Sequence, residues 1–252
     1  MRRVAVKDDT GRSMEVKCDA LVLRAVDYRD SDRILTLFAA GLGKITASCK
    51  GVRKASAKLR FAAQPFCFAE YVLAERNGRY TVTSAYLHDG FYAIREDIQK
   101  FYAASAIVEM CAILLPDGME SNGLLAAGVH ALSGICEGNE SEELIRFMVR
   151  ALSIAGYDLD LDGCLSCGRE PEGRCAFSFD QGGFFCRGCA AADCVPASET
   201  TYRTLRAIKG GGCGREELEK DGLRRSLRLL REYFAAKTGA HAESLAEYIR
   251  IM

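Results

Sequence analysis

Tryptophan is absent from this 252-residue chain, proline occurs only four times and histidine only three times. So few prolines leave no proline-rich linker. His88, His130 and His241 have no nucleophile or carboxylate partner in a motif, which removes the usual footing for acid–base or triad catalysis. A long apolar run is missing too. The best candidate, Ala103 to Leu115, is broken by Glu109 and is shorter than the roughly 20 residues a bilayer span needs. Arg2 and Arg3 could open a signal peptide, but Lys7, Asp8 and Asp9 stand where its apolar core belongs. A cytosolic chain without a membrane partner is the simplest expectation. Hydrophobic residues at 49% and charged residues at 27% exclude a disordered, collagen-like or low-complexity chain. The length allows a sizeable core and more than one domain.

Net charge is also lacking, since 34 basic residues balance 34 acidic ones. The balance is uneven along the chain: residues 1–90 carry a net +6 and residues 91–252 a net −6. From Arg33 to Ala69 the basic residues Arg33, Lys44, Lys50, Arg53, Lys54, Lys58 and Arg60 meet no acidic residue. Such a window is either a solvated face or the electrostatic footprint of a polyanion site.

Periodicity divides the chain. Segments 20–26, 33–38, 44–50, 66–74 and 79–85 alternate or are rich in strand formers, and Asn77-Gly78 signals a hairpin turn. Five strands in about 70 residues close most simply as a small barrel, which removes exposed edges. Residues 51–64 are basic and rich in small side chains, and predict an exposed loop or short helix between the third and fourth strands. Beyond Phe91 the period becomes helical, over 94–115, 124–136, 141–155, 198–209, 215–237 and 242–249. These signals predict an α+β multidomain chain. It has an N-terminal extension over 1–17, a barrel over 18–90, a helical domain over 91–157 and 197–252, and a cysteine segment inserted at 158–196.

Eight of the twelve cysteines are scattered singly and read as small buried hydrophobes. The other four form two Cys-x-x-Cys knuckles, Cys164/Cys167 and Cys186/Cys189, separated by 18 residues. That spacing matches a four-thiolate zinc site, in which each tight turn presents two sulfurs to one ion. Gly163, Gly168 and Gly188 permit the turns, and 175–179 and 183–185 predict the two strands of a zinc ribbon. Four thiolates leave no open position, so one Zn2+ held here is structural. Reduced buried thiols and a redox pair are the alternatives, the latter without its βαβ context. Cys175 and Cys194 are spare thiols nearby.

Other catalytic signatures fail. Gly41-Leu42-Gly43-Lys44 lacks the spacing and the hydroxyl residue of a phosphate-binding loop. His241-Ala242-Glu243 lacks the Pro-Cys-x-x-Cys that would complete a nucleoside deaminase. No catalytic residue is assigned, and an enzyme is not expected.

Three runs, in order and spacing, resemble one family. They are Ala20-Leu21-Val22-Leu23-Arg24 with Asp27-Tyr28-Arg29-Asp30-Ser31-Asp32, then Gly43-Lys44 with Lys50-Gly51-Val52-Arg53-Lys54, then Gln64-Pro65-Phe66. Together with the four knuckle cysteines, they resemble the zinc-bearing branch of the RecO family of bacterial DNA repair and recombination mediators. The resemblance covers roughly residues 18–250. Residues 1–13 precede the usual start of the family pattern.

The resemblance implies an oligonucleotide-binding (OB) fold for the barrel. It implies binding of single- and double-stranded DNA, annealing of complementary strands and help in loading recombinase. It also implies partnership with RecR and with the acidic tail of the single-stranded-DNA-binding protein, a nucleoid-associated cytoplasmic location, and no small-molecule substrate. On that reading Lys44, Lys50, Arg53, Lys54, Lys58 and Arg60 neutralise phosphates, with Arg24, Arg29 and Arg33 at the same barrel end. Tyr28, Phe61, Tyr71 and Tyr80 are candidate base-stacking residues. Arg224, Arg225 and Arg228 with Leu227 offer an arginine-edged apolar face to an acidic tail. An RNA-binding OB-fold and zinc-ribbon module, and a zinc-stabilised enzyme, are the competing expectations.

Overall fold

A computed structural model describes residues 14–210 and 219–252. The chain forms two compact units: Met1–Arg95 with Val108–Ser133, and Glu96–Ile107 with Gly134–Met252.

In the first unit five strands, β1 (Met14–Tyr28), β2 (Asp32–Ala39), β3 (Gly43–Cys49), β4 (Phe68–Arg76) and β5 (Arg79–Asp89), close a barrel in the order β1-β2-β3-β5-β4. Every junction is antiparallel except β3–β5, where Ala47 faces Tyr80 and Ser48 faces Thr81 in parallel. This is the OB-type barrel expected from the resemblance. Inward side chains alternate along the strands as the pleat requires, and Ala20, Val22, Leu35, Leu37, Ala47, Tyr71 and Leu73 fill the interior. Asn77 and Gly78 both take positive φ, 52° and 72°, the turn that matches strand twist in a two-residue hairpin.

The barrel begins earlier than expected. Met14 to Lys17, assigned above to an N-terminal extension, are strand and pair with Glu75, Ala74, Leu73 and Val72 of β4. Their alternation of half-buried Met14 and Val16 with exposed Glu15 and Lys17 is the period-2 signature of a strand on the barrel wall. Residues 1–13 of that extension lie outside the described residues.

The last barrel strand ends at Asp89, and compactness divides the chain differently from the sequence periodicity. Helix α1 (Ile98–Leu114) belongs partly to each unit, and most of α2 (Asn122–Cys136) belongs with the barrel. The β2–β3 turn explains this. Gly43 lies so close to the 116–119 loop that a Cβ on it would sit 2.1 Å from the Met119 carbonyl oxygen. Lys44 beside it donates to the Ala112 carbonyl at 3.1 Å and pairs with Asp117 at 3.2 Å.

The second unit holds α3 (Glu140–Ile154), α4 (Glu199–Lys209), α5 (Lys220–Thr238) and α6 (Glu243–Ile251). It also holds a sheet of four short strands, β6 (Asp160–Cys164), β7 (Arg174–Ser178), β8 (Gly183–Cys186) and β9 (Val195–Ser198), in the order β6-β8-β7-β9. Strands β6 and β9 go beyond the two-stranded ribbon expected from sequence. Ser198 caps α4 by accepting from the Thr201 amide at 3.2 Å. The expected start of α5 at residue 215 lies outside the described residues. The sheet and helices share one core. The Phe177 ring meets Tyr233 edge-on at 5.5 Å and Phe184 meets Tyr202 at 5.3 Å. Tyr202 also donates to the Leu161 carbonyl at 3.1 Å.

Candidate metal centre and nucleic-acid interface

The cysteine cluster is built from two turns and one strand pairing. In the first knuckle the Cys164 amide donates to the Arg169 carbonyl and the Gly168 amide returns to the Cys164 carbonyl, each at 2.8 Å. Gly163 is required there, because a Cβ would stand 2.7 Å from the Gly168 carbonyl oxygen. In the second knuckle the Cys189 amide donates to the Cys186 carbonyl at 2.9 Å. The Leu165 amide bonds the Phe184 carbonyl at 2.9 Å and brings the turns together.

The sulfurs of Cys164, Cys167 and Cys189 then lie within 4.8 Å of one another, and the Cys186 sulfur lies 3.9 Å from that of Cys167. Zinc–sulfur bonds of about 2.3 Å in a tetrahedron place sulfurs roughly 3.8 Å apart, so the donor set fits one ion. The thiols resist sharing the site as anions alone. Hydrogen bonding from Arg169 draws Cys167 down to about 6. Burial opposes ionisation of Cys164, but the amides of Cys186, Cys167 and Ser166 outweigh it and hold that thiol below its ordinary value. Burial and the neighbouring sulfurs push Cys186 up to about 12, and hydrogen bonding to Cys167 raises Cys189. A divalent cation is the group that lets all four ionise together.

The basic segment after β3 is a chain of tight turns docked on the barrel. The amides of Lys54, Ala57 and Arg60 donate to the carbonyls of Gly51, Lys54 and Ala57, each three residues back. A short 3-10 turn, Phe61–Ala63, follows. Val52 is buried in the barrel core, and Leu59 and Phe61 pack against it. The β1–β2 turn supplies the polar half of the dock. Asp32 accepts from the Gly51 amide at 2.7 Å, and the Ser31 carbonyl accepts from the Arg53 amide at 2.9 Å. Asp27 pairs with Arg33 at 2.8 Å and with Arg53 at 3.2 Å. Arg33 holds Asp27 below the usual carboxylate range, and the Gly51 amide does the same for Asp32.

The nine basic residues expected to meet DNA therefore divide. Arg33 is anchored to Asp27 and to the Ala63 carbonyl at 2.9 Å. Arg53 is held by Asp27 and by the carbonyls of Arg29 and Asp30. Lys44 is fastened to the end of α1. Arg29 leans on the Tyr28 ring, 5.2 Å from its centroid. Arg24, Lys50, Lys54, Lys58 and Arg60 are exposed and have no ion pair among the described residues.

Of the four candidate stacking residues only Tyr28 is exposed, at 46%. Tyr71 is a correction: it lies in the core, and its hydroxyl donates to the Ala62 carbonyl at 2.7 Å. Phe61 and Tyr80 pack against the same core.

At the expected partner face, Leu227 is a second correction. It is fully buried on the inward side of α5 and unavailable to a partner. The Arg224 Nε is buried as well, and Arg225 pairs with Asp221 at 2.7 Å. Exposed Arg225 and Arg228 instead line a cavity of about 670 Å3 between β9 and α5, with Arg174, Val195, Pro196 and Leu229. Sequence reasoning missed Arg174 as well as the positioning carboxylates Asp27 and Asp32. The alternation of acids and basics in Asp27-Tyr28-Arg29-Asp30-Ser31-Asp32 was the available signal for the carboxylates. No described helix is long and apolar enough to cross a membrane.

Residues 14–91 match the family model described as Recombination protein O N terminal, and residues 95–246 match Recombination protein O C terminal. Similar relatives carry the name DNA repair protein RecO. The one from Desulforamulus reducens is 34% identical over 76% of this chain and 76% of its own length. Its counterpart in Geobacter sulfurreducens is 33% identical over 78% and 82%. A third, from Syntrophus aciditrophicus, is 30% identical over 91% and 87%.

Proposed function

The chain belongs to the RecO family of DNA repair proteins, and from that premise we propose a non-enzymatic DNA-binding mediator. It binds single- and double-stranded DNA, anneals complementary strands and helps load recombinase during recombinational repair. The observation that carries this reading is the docked basic loop. Lys50, Lys54, Lys58 and Arg60 project without counter-ions among the described residues, from a segment held by Asp32 at the Gly51 amide and by Asp27 at the Arg53 guanidinium. Annealing breaks and forms no covalent bond. It needs two repelling backbones neutralised while base edges stay free to pair, and point charges on a shaped loop do that. Arg24 and Tyr28 extend the surface along β1, Tyr28 as an exposed ring for a base.

The four cysteines hold one structural Zn2+, which supplies cross-linking and no chemistry of reaction. The ribbon at 158–196 is an insertion in the helical domain of 91–157 and 197–252. RecR is one partner. The acidic tail of the single-stranded-DNA-binding protein is the other, and the cavity between β9 and α5 with Arg174, Arg225 and Arg228 suits it. The protein works on the nucleoid in the cytoplasm.

Strand annealing of two complementary labelled oligonucleotides across a salt series tests the reading. The intact chain anneals them, and a variant with Lys50, Lys54, Lys58 and Arg60 changed to Ala loses rate with a shallower salt slope. A chain that leaves DNA unbound and unannealed while binding RNA would sink the proposal in favour of an RNA-binding module.

A further inference from the structure

Outside the four knuckle cysteines, one thiol stands directly opposite a member of the cluster. Cys175 on β7 is the cross-strand partner of Cys186 on β8. Opposed residues of an antiparallel pair point to the same face of the sheet. The pairing class follows from the next strand. Ala176 faces Pro196 on β9, and Pro196 has no N–H to give, so the hydrogen-bonded pairs are Cys175–Ala197 and Phe177–Val195. That turns the Cys175 amide toward β9 and leaves Cys175–Cys186 a non-hydrogen-bonded pair. Such pairs have Cα atoms roughly 4.5 Å apart, inside the range a disulfide spans. Cys175 is 5% exposed, yet it lines the cavity between β9 and α5, which gives a small oxidant a way in. None of the other described thiols outside the cluster is paired across a strand with a knuckle cysteine: Cys18, Cys49 and Cys67 are buried in the barrel, Cys111 is buried in α1, Cys136 ends α2, and Cys194 precedes β9.

We propose that Cys175 is a resolving thiol for the cysteine cluster, so that a peroxide oxidises the Cys175–Cys186 pair to a disulfide and discharges the metal. This rests on the reading of the four cysteines as a zinc site. The Cys186 sulfur attacks hydrogen peroxide: an S–O bond forms, the O–O bond breaks, and the departing hydroxide takes the Cys175 proton as water. The Cys175 sulfur then attacks Cys186. The S–S bond forms, the S–O bond breaks, and a proton from solvent completes the second water. Two sulfurs lose two electrons and one peroxide gains them. Three thiolates remain, and the site releases its cation. Because the β7–β8 register already aligns the two residues, the disulfide forms without refolding, and reduction with added zinc restores the site.

The zinc-loaded full chain is treated with hydrogen peroxide. Zinc release is followed with a chromogenic chelator, and disulfides are mapped by mass spectrometry without reduction. A Cys175–Cys186 cross-linked peptide should appear in step with zinc release, and dithiothreitol with zinc should reverse both. Cys175→Ser should lose that peptide and release zinc several-fold more slowly. Its Cys186 should oxidise onward to sulfinic acid, which the thiol does not reverse. Cys194→Ser should behave as the unaltered chain. Disulfides confined to Cys164–Cys167 or Cys186–Cys189, or a Cys175→Ser variant that releases zinc at the unaltered rate, would overturn the proposal. Mapping in the unaltered chain decides the pairing even if Cys175→Ser folds poorly. A purified chain that takes up no zinc fails the metal reading alone, since the peptide map still reports the pair.

Discussion

Arg53 Nε lies 3.2 Å from Asp27 Oδ2, so an arginine of the basic loop is turned back onto the barrel instead of outward. Its guanidinium also reaches the Arg29 and Asp30 carbonyls at 3.3 Å each. Asp27 joins Arg33 on β2 to Arg53 on the loop, and a single carboxylate thereby sets where the remaining cations project.

Removing that carboxylate should free the loop without unfolding the barrel. Asp27→Ala and Arg53→Ala are each expected to raise trypsin cleavage at Lys54 and Lys58 several-fold and to weaken DNA binding. The double variant should lose less than the sum of the two single ones, because they share one ion pair while each also removes contacts of its own. Limited proteolysis with mass mapping reads this directly. Acid should mimic the effect. The folded carboxyls of Asp27 and Asp32 titrate below their ordinary value of 3.8, so their contribution is present above that value and is lost as pH falls through the lower, folded one. Loop docking is therefore constant across the neutral range, and cleavage rises only in acid.

Two kinds of lysine should separate by their salt response. Lys54→Ala and Lys58→Ala should each reduce the salt slope of single-strand binding by about 0.7 for every phosphate left without its cation, with unchanged stability. Lys44→Met should leave the slope alone and destabilise the fold by about 1–3 kcal/mol, because its ammonium satisfies the Ala112 carbonyl at the end of α1. Gly43→Ala should cost more still, since its Cβ would collide with the Met119 carbonyl and its φ is +73°. Fluorescence anisotropy over a salt series, paired with urea denaturation, distinguishes the classes.

The difference between Lys44 and Lys54 shows what a sequence conceals. Both are basic residues in an acid-free window, and only distance along the chain separates their roles. The partner of Lys44 is 68 residues away, while the backbone amide of Lys54 donates to the Gly51 carbonyl within its own loop. Local signals carry through to the fold: Asn77-Gly78 makes its hairpin, and the knuckles bring their sulfurs together. Leu227 escapes sequence reasoning because a helix face is assigned to core or solvent by what packs on it, and Tyr233 and Leu230 turn that side of α5 inward. Strand β9 is invisible in the sequence because four residues containing a proline carry no strand period.

Chelating the proposed zinc should act on the second unit and spare the barrel. The ribbon places Phe177 and Phe184 against Tyr233 and Tyr202, so loosening the knuckles exposes an aromatic cluster. A strong chelator, or Cys164→Ala, should raise hydrogen exchange across β6 to β9 and lower the melting temperature of that unit. Amides of β1 to β5 should keep their protection, and salt-dependent DNA binding should persist. Residue-resolved hydrogen exchange checks both halves of the expectation.

Arg95 should prove the strongest single polar support of the barrel's end. Phe66 and Phe91 are buried and both hold positive φ, 68° and 45°, a conformation that costs a bulky residue of order 1–3 kcal/mol. Arg95 donates to the Pro65 carbonyl at 2.5 Å and the Gly90 carbonyl at 2.7 Å, beside those two residues, and lies over the Phe66 and Tyr92 rings. Arg95→Ala removes both bonds and should destabilise by about 2 kcal/mol. Phe66→Gly relieves strain but empties a core position, a loss of about 3–5 kcal/mol that exceeds the relief. Burial wins there, so Phe66→Gly should be destabilised despite its easier backbone. Chemical denaturation of both variants would show it, and a more stable Phe66→Gly would mean that strain, not burial, governs the turn.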